Sequence, residues 1–270
     1  MMSLSWSRMV LLLPALAISA AALPHPSATA EPIVTPAECP RHNPTVQDGT
    51  LVDQLWTQNC DLVTKFLNNA FTAAQAAQTS QGTLESLQYY FVQDYYYLTL
   101  TVPHKAYLLK SLDRDESAAE QTSAINETVL DMTGDLEYAS SFRQDLTSPD
   151  HLNVSSSVVK NAKLEPVLRE YVDWLGDNTN LGWYLWSISR LPCIYLNQSS
   201  STVRGTKFFD EWLTPNLEWS YGTKLSVELQ EVLIANNNTE TFAVANGLFR
   251  KALEYETAFF ESALGKVLKH

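Results

Sequence analysis

The chain has 270 residues, 45% of them hydrophobic and 11% aromatic, which is enough apolar material for one sizeable core and excludes disorder over most of its length. Eighteen Lys and Arg against 30 Asp and Glu leave a net charge of −12, and that balance argues against binding the phosphate backbone of a nucleic acid. Only nine glycines are present, fewer than turn-rich β architectures use, so a helical fold is favoured.

In chain order, Met9 to Leu23 is almost wholly apolar behind Arg8, and small residues follow at Ser19–Ala22. The run is too short to span a bilayer comfortably, so residues 1–22 read as a secretory signal peptide and the mature chain as extracellular, with no membrane attachment after cleavage. Residues 23–50, rich in Pro, Ser and Thr, read as an N-terminal extension. From residue 51 to 270, apolar residues recur at three- and four-residue spacing between short polar breaks. Helices are expected over about 51–77, 84–112, 117–146, 156–175, 181–197, 207–219, 221–235 and 239–268. Thr83 is expected to cap the second and Pro103 to bend it. The helix containing Pro192 should kink or restart there. Eight such helices and no alternating strand pattern make a single all-α domain.

Three positions stand out. Leu87, Tyr90, Phe91, Asp94, Tyr97 and Leu98 share one helical face that is apolar and aromatic apart from Asp94. Phe249, Leu253, Phe260 and Ala263 make a second such face around Glu256. A glutamate in a desolvated stripe holds its proton more tightly, which suits a general acid or base, although a buried structural ion pair also satisfies each carboxylate. Cys193 follows Pro192; in the first turn of a restarted helix its thiolate would be favoured, and a buried structural thiol is the alternative. Of the three cysteines, a Cys39–Cys60 disulfide closes a short, sensible loop and leaves Cys193 free, though spacing alone leaves the pairing open. Asn126, Asn153, Asn197 and Asn237 begin glycosylation sequons. The five histidines show no metal-ligand spacing, and no metal or cofactor is expected.

Tyr-Phe-Val-Gln-Asp-Tyr-Tyr-Tyr-Leu (90–98), Leu-Pro-Cys (191–193) and Tyr-Glu-Thr-Ala-Phe-Phe (255–260), in this order, resemble the TenA/thiaminase II family, as does Phe-Asp-Glu-Trp-Leu (209–213). The resemblance implies a haem-oxygenase-like all-helical fold without haem. It implies a hydrolase that replaces the amine or thiazolium on an aminopyrimidine methylene with hydroxyl, of which this chain, with its signal peptide, would be a secreted, divergent member. Cys193 would be the nucleophile and Glu256 the acid–base group. Asp94 would both bind the ring and support catalysis, and Tyr97 and Tyr90 would line the pocket. The partner implied is a small thiamine-like or aminopyrimidine substrate, and family members commonly form homo-oligomers. The chain departs from the family pattern at Asn197, near Pro166 and near Asn216, where pocket tyrosines are usual. The resemblance also points Asn197 into the pocket, which is incompatible with a glycan there. A secreted non-catalytic binding protein on the same fold is the alternative.

Overall fold

A computed structural model describes residues 39–40, 46–77, 81–111, 117–192, 205–214, 220–236 and 239–268. The described residues are helical and form no strand. The helices are α1 (Leu51–Gln58), α2 (Cys60–Leu67), α3 (Ala70–Ala77), α4 (Gln81–Leu108), α5 (Ala118–Thr147), α6 (Ser156–Asn161), α7 (Pro166–Asn178), α8 (Gly182–Ile188), α9 (Ser220–Asn236) and α10 (Thr239–Ala263). A short π-helix spans Phe209–Leu213. None of them is long and apolar enough to cross a membrane.

Periodicity predicts one helix over 51–77, and the structure has three. Asparagines make the breaks. Asn59 turns its side-chain amide back onto the Leu55 carbonyl at 2.7 Å and onto Asn246 of α10 at 2.6 Å. Asn69 donates to the Phe66 carbonyl at 2.7 Å and accepts the Thr72 amide at 2.9 Å, capping α3. Short amide side chains compete with the helical ladder in this way, and the apolar period alone does not register it.

The segment expected as a helix over 156–175 also divides. Pro166 is the first residue of α7, where its missing N–H costs nothing, and residues 162–165 form a link instead. Helix α4 supplies that link with partners. Gln93 donates to the Lys163 carbonyl and accepts the Glu165 amide, both at 2.9 Å, while Tyr89 hydrogen-bonds the Glu165 carboxylate. At the other ends, α5 starts as expected, on Ser117 with a reciprocal Ser117–Glu120 capping box. Helix α4 starts at Gln81, so Thr83 lies inside its first turn rather than capping it, and α4 runs through Pro103 to Leu108. The last helix stops at Ala263, before Gly265 with φ 71°, rather than reaching residue 268. The helix expected over 207–219 is replaced, among its described residues, by the π-helix. After α8, Ser189 and Arg190 form a turn and helical backbone resumes at Leu191, one residue before the Pro192 restart expected from sequence.

Helix α10 occupies the middle, packed by α1, α2, α3, α4, α7 and α8, while α5 lies along α4. Phe66, Phe71, Tyr90, Phe259 and Phe260 form an aromatic cluster, with the Tyr90 and Phe260 rings stacked at 4.8 Å. Aromatic pairs of this kind add to the burial of their area. Cys39 and Cys60 form a disulfide, their Cα atoms 5.2 Å apart, which clips the segment before α1 onto α2. Buried Lys105 on α4 reaches Asp131 at 2.5 Å and Asp135 at 2.6 Å, one turn apart on α5. Asn126 and Asn153 are exposed, and Asn153 adopts φ 53°, a conformation asparagine tolerates. The sequons at Asn197 and Asn237 and the segment 1–22 lie outside the described residues.

Candidate active site

Asp94 and Glu256 come from helices far apart in sequence, α4 and α10, which pack against each other. On α4, Leu87, Tyr90, Phe91 and Tyr97 are buried, as the periodicity of that face requires, and Asp94 sits among them, partly accessible at its surface. On α10, Phe249, Leu253, Phe260 and Ala263 are all buried, and Glu256 is only 4% exposed.

Glu256 has left water, and the surroundings of Asp94 also disfavour its charge. Burial pushes Asp94 up to about 7. Burial likewise pushes Glu256 up to about 8, with the negative charge of Asp94 adding to the rise. Two groups act the other way on Glu256, a hydrogen bond from Tyr171 and the positive charge of Arg190. Both acids therefore change charge near neutrality, where a group that must give and take a proton is most effective.

Tyr171, on α7, donates its hydroxyl to Glu256 Oε1 at 2.8 Å. Its ring is stacked on Tyr97 at 5.5 Å and on Tyr255 at 5.1 Å, and Trp174 lies 5.3 Å from Tyr255. Tyr97, one turn beyond Asp94, thus reaches the Glu256 side of the site through Tyr171. Tyr90 is placed differently. Its ring is enclosed by Phe71, Phe91, Phe259 and Phe260 and belongs to the aromatic core next to the site.

Sequence reasoning finds no tyrosine near Pro166. The structure puts one five residues later, where Leu168, Tyr171, Val172 and Leu175 form the buried stripe of α7. That spacing was readable, but nothing in it tells which tyrosine meets Glu256. Arg190 was also missed, as was Tyr138 of α5, whose hydroxyl is pushed up to about 12 by desolvation first and then by the charges of Asp94 and Asp145. Leu191 and Pro192 are buried; Cys193, the expected nucleophile, and Asn197 lie outside the described residues. Among the described residues no three His, Cys, Asp or Glu side chains converge as metal ligands.

Within this all-helical bundle, two carboxyl groups raised by burial beside an aromatic wall make an arrangement suited to acid–base chemistry. A family model described as the TENA/THI-4/PQQC family matches residues 76–266, and the chain belongs to that family. A TenA homologue from P. horikoshii superposes with a TM-score of 0.61 at 17% identity, over 80% of this chain and 100% of that one. A TenA homologue from Pyrococcus furiosus gives 0.61 at 14% identity, over 79% of this chain and 99% of that one. A putative TenA-like thiaminase from Sulfolobus solfataricus gives 0.53 at 17% identity, over 83% and 99%. These likenesses establish the haem-oxygenase-like all-α fold. No curated protein matches the chain.

Proposed function

We propose that the protein is a secreted hydrolase of the thiaminase II type, acting on thiamine-like or aminopyrimidine compounds. The single observation that carries the reading is the Asp94–Glu256 pair, two carboxyl groups in one desolvated site, both pushed toward neutrality, with Tyr171 hydrogen-bonded to Glu256. Family membership and the Leu191-Pro192-Cys193 sequence support Cys193 as the nucleophile.

In this reading Asp94 hydrogen-bonds the ring nitrogen and amino edge of the pyrimidine. The Cys193 thiolate adds to the ring, and an electron pair leaves through the methylene carbon to the departing amine or thiazole. Protonated Glu256 gives its proton to a departing amine; a departing thiazolium is already neutral as it leaves. In either case the Glu256 carboxylate, formed by that transfer or, with thiazolium, ionised from the start, then takes a proton from water as the water oxygen bonds to the methylene carbon; with thiazolium that proton passes on to solvent. The C–S bond breaks and the thiolate returns. One water is consumed and one amine or thiazole released. Splitting a poor displacement into addition and elimination lowers each barrier, and an acid titrating near 8 performs both proton transfers at neutral pH.

Secretion is supported by the apolar segment after Arg8 and by the Cys39–Cys60 disulfide, which persists in oxidising compartments. The test is incubation of purified protein with thiamine and with the aminomethyl-pyrimidine, alongside Cys193→Ser and Glu256→Gln. Hydroxymethyl-pyrimidine that appears with the native protein and is lost in both variants is the expected result. Measurable ligand binding without Cys193-dependent product would overturn the hydrolase reading and leave a binding protein.

A further inference from the structure

We propose that Asn126 carries an N-linked glycan and that this glycan covers an apolar patch on the outer side of α5. Helix α5 lies along α4, and its side away from α4 faces solvent. Three neighbouring apolar side chains stand on that outer side, Ile125, Val129 and Leu130, between 42% and 52% exposed. Asn126 is in their midst. Ile125 precedes it, and Val129 and Leu130 follow at the three- and four-residue spacing that sets helical side chains beside each other. Side chains on a helix lean toward its N-terminus, so Val129 and Leu130 lean over the turn that carries Asn126. The Asn126 side chain is itself exposed, and Thr128 completes the acceptor sequence Asn-Glu-Thr. Asn153, the other exposed acceptor, sits between buried Leu152 and Val154 and has no exposed apolar neighbour on either side of it in sequence.

Charge selects a glycan over a second copy of the chain as the occupant. Helix α5 carries six acids, Glu120, Glu127, Asp131, Asp135, Glu137 and Asp145, against Arg143 as its one base. Asp131 and Asp135 share buried Lys105, but a second α5 laid on the patch would still bring carboxylates against carboxylates, which costs affinity. A glycan is bulky and solubilising and is already tethered at the patch. The donor is an oligosaccharide linked to a lipid diphosphate. The Asn126 amide nitrogen bonds to the anomeric carbon of the first sugar. The bond from that carbon to the diphosphate oxygen breaks, its electron pair stays on the leaving lipid diphosphate, and the amide gives up one proton. In the folded chain Thr128 Oγ1 donates to the Ala124 carbonyl at 2.9 Å, so the hydroxyl of the acceptor sequence is engaged in α5 and the transfer precedes folding of that helix.

This inference rests on the secretion proposed above and not on the hydrolase reaction. The test expresses the full chain, residues 1–22 included, in a eukaryotic host and collects protein from the medium. Arg114, Arg143 and Lys160 place Asn126 and Asn153 in separate tryptic peptides, 115–143 and 144–160. Glycan removal by a peptide N-glycosidase in heavy-oxygen water turns a glycosylated Asn126 into labelled aspartate, and near-complete labelling of peptide 115–143 is the expected result. After removal from the folded protein, the fluorescence of an apolar dye rises severalfold and the protein self-associates on gel filtration. Asn126→Gln and Thr128→Ala each reproduce that behaviour, and either serves if the other does not fold. Adding Ile125→Gln, Val129→Gln and Leu130→Gln abolishes it. Secreted protein with unlabelled Asn126 overturns the site, and a dimer formed through α5 in that protein gives the patch to a second copy. Labelled Asn126 whose deglycosylation moves neither dye fluorescence nor association overturns the covering role. Protein retained in the cell with residues 1–22 attached and Asn126 bare overturns secretion and the glycan together, and leaves turnover by the purified protein to decide the hydrolase reading.

Discussion

Tyr171 donates its hydroxyl to Glu256 across the α7–α10 contact at 2.8 Å, and both side chains are buried. The bond joins a phenol stacked between two other tyrosines to a carboxyl group that has lost nearly all its water. Removing the hydroxyl with Tyr171→Phe should cost about 1–2 kcal/mol, typical of a buried bond to a chargeable acceptor. The bond favours the ionised form of Glu256, so its loss raises that group further. The destabilisation should therefore be larger at pH 9 than at pH 6, and urea unfolding at the two pH values measures the difference. Equal losses at both would show that the hydroxyl does not favour the ionised form over the protonated one.

Stability should fall as pH rises through the working range. Asp94 and Glu256 have ordinary values of 3.8 and 4.5 and are pushed up to about 7 and about 8 in the folded chain. Between the ordinary and the folded values the native state holds protons that the unfolded state has lost. Their contribution is complete below about pH 4 and fades until about pH 8. Asp94→Asn and Glu256→Gln should each flatten this slope. At pH 8.5 Glu256→Gln should be more stable than the native protein by roughly 2–4 kcal/mol, while losing turnover by a factor on the order of 10² or more. A steeper slope in either variant would contradict the burial of that carboxyl group.

Gly176 is crowded by its neighbour rather than constrained by its backbone. A Cβ built there would stand 3.0 Å from His104 Nε2. In an otherwise helical site, alanine would be better than glycine by up to about 1 kcal/mol. Gly176→Ala should therefore be destabilising in the native chain by about 1 kcal/mol and stabilising by about as much in the His104→Ala background. A double-mutant cycle by thermal unfolding reads the sign change directly.

Reducing the Cys39–Cys60 disulfide, or replacing Cys39 by Ser, should cost about 3 kcal/mol, because the cross-link closes a loop with a separation of 21 residues in the unfolded chain. Guanidinium melts with and without reductant measure it. The loss should leave turnover nearly unchanged under native conditions, since the bond joins the segment before α1 to α2 and neither Asp94 nor Glu256 lies on those elements.

Helix type, the apolar faces of α4 and α10, and the presence of Asp94 and Glu256 within them were legible in the sequence. Each follows from a local spacing that a 3.6-residue period turns into a face. The disulfide partners were legible only as one of three pairings. The asparagine breaks at Asn59 and Asn69 were not read, because they depend on where a side-chain amide finds a carbonyl. Neither Tyr171 nor Arg190 could be assigned to Glu256 in advance. Their sequence separations from it are 85 and 66 residues, and only the packing of α7 and α8 against α10 brings a phenol and a cation to that carboxylate. The sequence by itself determined that two acids would sit in apolar stripes. The tertiary structure decided that the two stripes pack against each other, and so that burial brings both acids toward neutrality, with the charge of Asp94 adding to the rise of Glu256.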